Sequence, residues 1–80
     1  MKNATILMTL GTLFAIMDAR ANVDIFIEKP DGKQELLRSN KLFMILADNE
    51  FIGNLSIYNA RVIGLSNILG GVTSILIEEA

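Results

Sequence analysis

The residues able to do chemistry fall into four short stretches: Asp48 with Glu50, Glu78 with Glu79, Gly70-Gly71, and Tyr58-Asn59-Ala60-Arg61. Paired carboxylates perform general acid–base work when one pocket pushes their pKa values apart. Asp48 and Glu50 stand two apart beside a loop signal, and Glu78 and Glu79 are adjacent. Neither spacing brings two carboxylates onto one enclosed surface, so both pairs are read as solvated charges. Asp48 to Gly53 also starts like a calcium-binding loop, with an acid first and glycine sixth. Ile52 then falls at the fifth position and Asn59 at the twelfth, where an oxygen ligand and a bidentate Glu are needed. Gly70-Gly71 lacks the glycine spacing and the lysine of a phosphate-binding loop and reads as a hairpin turn.

The fourth stretch carries the candidate binding site: Tyr58, Asn59 and Arg61. It sets a ring, an amide and a guanidinium inside an otherwise apolar segment. Arginine offers a planar fork that grips carboxylate or phosphate in two places and stacks on rings. Tyrosine and arginine are also frequent at interface hot spots. The competing reading is a half-buried Tyr58 with a wet hydroxyl and an Arg61 that guards a strand edge.

Composition removes most other chemistry. Histidine and cysteine are absent. There is then no neutral-pH imidazole, no disulfide or thiolate, and no usual zinc ligand. No catalytic residue, metal or cofactor is expected. The net charge of −2 gives no basic patch for double-stranded nucleic acid. Apolar residues make up 51% of the chain and charged ones 20%, against ~45–50% and ~25% in ordinary domains. An 80-residue chain makes one domain that buries only ~60–65% of its unfolded surface. Excess apolar surface on so small a domain points to burial against a second copy. The homo-oligomer is expected to use the last strand, Val72 to Ile77, through its edge or its outer face.

The start of the chain has two readings. Lys2, the uncharged run from Asn3 to Met17 and the small-x-small step Ala19-Arg20-Ala21 have the form of a secretory signal peptide. Residues 22–80 would then be a secreted or periplasmic structural or adhesive module. The same residues set Leu10, Leu13, Phe14 and Met17 on one helical stripe, with Thr9 as N-cap. That reading makes residues 1–80 one cytoplasmic domain, and it is preferred because threonines and Gly11 dilute the apolar run. Fifteen uncharged residues fall short of the ~20 a membrane span needs.

The elements that must position these residues follow from periodicity. Thr9 to Asp18 is the first helix. Val23, Ile25 and Ile27 alternate with Asp24, Phe26 and Glu28, the period of a strand with one buried face. Lys29-Pro30-Asp31-Gly32 is a turn, with proline presetting φ and glycine supplying a positive one. Gln34 to Arg38 returns as the second strand. Ser39 or Asn40 caps a second helix carrying Leu42, Ile45 and Leu46, which frays at Asp48-Asn49. Met17 and Met44 are expected as core gap-fillers. Leu55 to Ser66 reads as a strand bent near Asn59-Ala60, and Val72 to Ile77 as the last strand. Ala4 to Met8 reads as an edge strand or an early helical turn. The class is α+β: a small single domain with two short helices packed on a mainly antiparallel sheet of about four to five strands.

Leu10 through Asp18, Val23-Asp24-Ile25, Asp31-Gly32, Arg61 through Ser66 and Ile75 through Glu79 form a pattern of helix, Asp-Gly hairpin, helix and closing hairpin. In this the chain resembles small uncharacterised proteins carried by phages and integrated elements of Gram-positive bacteria. The resemblance implies an accessory protein without catalysis. Many such proteins block or sequester a host factor, a protein or a small signalling nucleotide, in defence against which the element must act. The expected function is therefore a non-enzymatic, anti-defence type of binding protein working as a soluble homo-oligomer.

Overall fold

A computed structural model describes residues 8–68 and 71–79. In chain order the elements are α1 (Leu10–Ile16), β1 (Asn22–Glu28), β2 (Gln34–Lys41), α2 (Leu42–Leu46), α3 (Asn49–Ile52), α4 (Leu55–Tyr58), β3 (Val62–Ile68) and β4 (Val72–Glu78). The strands form one sheet in the order β2-β1-β4-β3. β1 pairs antiparallel with β2, and β3 with β4. The two middle strands, β1 and β4, run parallel.

The α+β class holds, with two refinements. The mainly antiparallel sheet carries one parallel pairing, at its centre, and the described residues contain four helical segments rather than two. Both follow from burial. β1 and β4 set Val and Ile at alternate positions on one face, and they take the centre, where each is flanked on both sides. Val23, Ile25, Ile75 and Ile77 are fully buried there, and each contributes about 1.5–3 kcal/mol on removal from water. Reaching that placement requires a crossover, since parallel neighbours cannot be joined by a tight turn. The helical segments α2 to α4 supply part of it.

Thr9 caps α1 as its hydroxyl accepts from the Thr12 N–H at 3.1 Å. Leu10, Leu13 and Phe14 are buried in the core, and Met17 packs against it half-buried. The first turn is as expected: Gly32 has φ +88° and donates its N–H to Lys29 O at 2.8 Å. Gly71 also has a positive φ, at +83°. Ser39 and Asn40 are not caps but stay in β2, and α2 begins after Lys41 without a side-chain cap. Its first N–H groups are met instead by Ala21 O and Ala19 O, both at 2.9 Å. α2 ends before Asp48-Asn49, as expected, and Asp48 goes on to cap α3 by accepting from Phe51 N at 3.2 Å. The strand expected from Leu55 begins only at Val62, because Asn54 caps a helical turn over Leu55–Tyr58. The reading of Ala4 to Met8 lies, apart from Met8, outside the described residues.

All the buried side chains of the helical segments lie on one face of the sheet, with Val23, Ile25, Ile75 and Ile77. β4 lies between β1 and β3, so its edge is not free, and the expectation that copies meet through that edge is corrected. No described helix packs on its outer face. No helix among the described residues is long and apolar enough to cross a membrane.

Candidate interaction surface

Tyr58, Asn59 and Arg61 are placed by α4 and the start of β3, and they do not converge. The Tyr58 ring packs edge-on against Phe14, with centroids 6.3 Å apart. It also lies over Gly11, where a Cβ would sit 2.3 Å from Tyr58 Cε2. Asn59 is exposed at the end of α4. Arg61 turns its Nε and Nη2 onto Glu78 Oε1, both at 3.1 Å. Tyr58 therefore serves the packing of α1, and the Arg61 guanidinium is already held by a carboxylate.

A second polar group was not legible in the sequence. A register shift between Ile25 and Phe26 makes room in β2 for the extra residue Leu37, which packs on the core. Arg38 then lies over the Phe51 ring, 5.0 Å from its centroid. Its Nε donates to Asp48 Oδ2 at 2.9 Å and its Nη1 to Leu37 O at 2.8 Å. The Arg38 Nε bond, followed by the Phe51 N–H on Asp48, holds the Asp48 carboxyl below its ordinary range. The arms on Asp48 and Phe51 tie β2 to α3 and its cap, so the cluster is structural. Among the described residues no group of three or more acidic side chains could hold a metal ion.

The outer face of the sheet is different in kind. Residues of even number in β1 and β4 point there, away from the buried Val23, Ile25, Ile75 and Ile77. Cross-strand register arranges this face as four rows. At one end lie Gln34, Glu28, Glu78 and, paired to Glu78, Arg61. The next row is Leu36, Phe26, Leu76 and Gly64. Then come Ser39, Asp24, Ser74 and Ser66, with Ser39 Oγ donating to Asp24 Oδ1 at 2.5 Å. Lys41, Asn22 and Val72 close the other end.

The second row is apolar across three strands and ends on a residue with no side chain. Phe26, Leu36 and Leu76 take no part in the core, and Leu36 is 50% exposed. Leu76 leans towards Gly64, where a Cβ would stand 3.2 Å from Leu76 Cβ. Beside them opens a shallow hollow of about 380 Å³, lined by Phe26, Gly64, Ser66, Ser74 and Leu76 among others. Leu65, 57% exposed, also borders it. The alternation over Val23–Glu28 signalled that Phe26 would face outward. Nothing in the sequence signalled that no described helix would cover it.

The helical layer also keeps apolar side chains outward. In α2 five apolar residues run consecutively, of which Leu42 and Ile45 are buried while Phe43, Met44 and Leu46 are exposed. Met44 is thus a surface residue rather than the core filler expected. Set against family models, curated proteins and solved structures, the chain matches none.

Proposed function

We propose that this chain is a non-enzymatic binding protein that works as a homo-oligomer, with the open face of its sheet as the self-association surface. The observation that carries this is the row Leu36–Phe26–Leu76, exposed at Leu36, half-buried at Phe26 and Leu76 and crossed by no described helix, on a sheet whose other face holds the buried core of the described residues. A half-covered sheet normally shows polar side chains to water, and contiguous apolar patches on small monomers usually mark an interaction site. Stacking a second copy there removes the row from water at ~25 cal/mol per Å².

Self-association through the sheet would leave both helical layers outward. Phe43, Met44 and Leu46 then form the surface offered to a further partner, and methionine beside an aromatic suits an adaptable protein contact. The resemblance to proteins of phages and integrated elements makes that partner a host protein. A small signalling nucleotide is less favoured, because Arg61 is occupied by Glu78 and no polar group on the described surface stands unpaired in a closed pocket.

Light scattering at micromolar concentration tests the reading. The parent chain is expected at a multiple of its 8.8 kDa, and Phe26→Asp at 8.8 kDa with an unchanged circular dichroism spectrum. A parent that is monomeric at that concentration removes the proposal.

A further inference from the structure

Resting on the reading that copies associate through the open face, we infer the register in which they meet. Two sheets stack about a two-fold axis parallel to their strands, so that Leu36 of each copy fills the hollow over Gly64 of the other.

The order of the apolar row dictates this. It runs Leu36, Phe26, Leu76, Gly64 across the four strands, with a protruding side chain at one end and none at the other. A two-fold contact applies the same patch to itself. An axis along the strands lays the row on its own reverse: Leu36 meets Gly64 and Phe26 meets Leu76. The protrusion enters the hollow twice, once on each side of the axis. The neighbouring row reverses in the same way, setting Asp24 against the hydroxyl of Ser74 and Ser39 against Ser66. Glu28 then faces the partner's Glu78 at the rim, where Arg61 offsets it and water screens it.

The other way of stacking, about an axis across the strands, does not fill the hollow at Gly64 with Leu36. Midway between the two central rows, such an axis lays the apolar row on the serine row and sets Phe26 over Asp24; through the apolar row itself, it sets Leu36 on Leu36 and Gly64 on Gly64 and brings Glu28 over Asp24. Relief matters here because the face is small. Four strands of about seven residues make a flat area of roughly 19 by 23 Å, well under the ~800 Å² per partner of a standard interface. A contact of that size belongs to the weak, reversible class, and its energy must come from close packing at its centre.

Cysteine is absent from the chain, which makes the register directly testable. Ser39 and Ser66 lie on the two edge strands, three strand spacings or ~14 Å apart within one copy. The doubly substituted S39C/S66C chain is treated with a bis-maleimide too short to span that distance. The expected result is a covalent dimer on a denaturing gel, with each single variant remaining monomeric there. Leu36→Ala is expected to weaken association about tenfold or more, the equivalent of its lost methylenes. Cross-linking of Ser39→Cys alone overturns the register in favour of the crossed axis. A dimer by light scattering that no variant cross-links also overturns it, while leaving self-association standing. A monomer by light scattering overturns the self-association itself.

Discussion

Replacing Gly11 by alanine should destabilise the protein, against what helix propensity alone dictates. In an unconstrained helix interior the change gains ~1 kcal/mol. Here the new methyl would stand 2.3 Å from Tyr58 Cε2 and 2.8 Å from Cδ2 and Cζ, well inside van der Waals contact. Tyr58 has little room to retreat, since its ring is half-buried and set edge-on to the buried Phe14. Overpacking of this kind costs about 1–3 kcal/mol, so the net loss is expected at ~1–2 kcal/mol after the propensity gain. The same substitution in a Tyr58→Ala background meets no ring, and it should there stabilise by up to ~1 kcal/mol. The assay is urea unfolding followed by circular dichroism on the four chains of this double-mutant cycle. A change of sign between backgrounds is the expected signature. If Gly11→Ala raises the unfolding midpoint of the parent chain, the contact between α4 and α1 is not what holds the first helix in place.

Phe14→Ala should cost ~3–5 kcal/mol, because Phe14 is 4% exposed, belongs to the core cluster and packs on Tyr58; a urea midpoint equal to the parent's would show that α1 is not packed. Gly32→Val should lower the melting temperature, since φ +88° at Gly32 is a region a β-branched residue resists; the open space around it makes this a backbone effect, and Gly32→Asn should lose less. The Asp48 carboxyl lies below its ordinary value because Arg38 donates to it, followed by the Phe51 N–H. Its stabilisation is therefore present above the unfolded-state value of ~3.9 and is lost as pH falls through the lower folded value. Urea midpoints measured from about pH 5.5 down to about pH 2.5 should fall less steeply at the acid end in Arg38→Gln than in the parent; parallel curves would remove the linkage.

Local rules determined what local rules can reach. Thr9 before an apolar stripe gave α1 its start, and Leu10, Leu13 and Phe14 are buried as their spacing requires. Alternation at Val23 to Glu28 placed β1 and its two faces, and Pro30-Asp31-Gly32 placed the turn. Each of these depends on residues within one turn or one pleat of each other. The misses are all contests that distant partners decide. Leu55–Tyr58 is helical because Asn54 caps it and Tyr58 must lie on Gly11, forty-odd residues earlier. α2 starts where Ala19 and Ala21 offer carbonyls, not at the caps Ser39 and Asn40 suggest. The Arg38–Asp48 tie exists because a register shift beside Leu37 sets Arg38 over Phe51. Composition disclosed that there was more apolar surface than one small core consumes. Which surface it is depends on the strand order, because the parallel pairing of β1 with β4 lines Phe26 up with Leu76, and the antiparallel edge strands extend that row to Leu36 and Gly64. Hydrophobicity is a property of each residue and is written in the sequence; contiguity is a property of the pairing register, and the tertiary structure alone sets it.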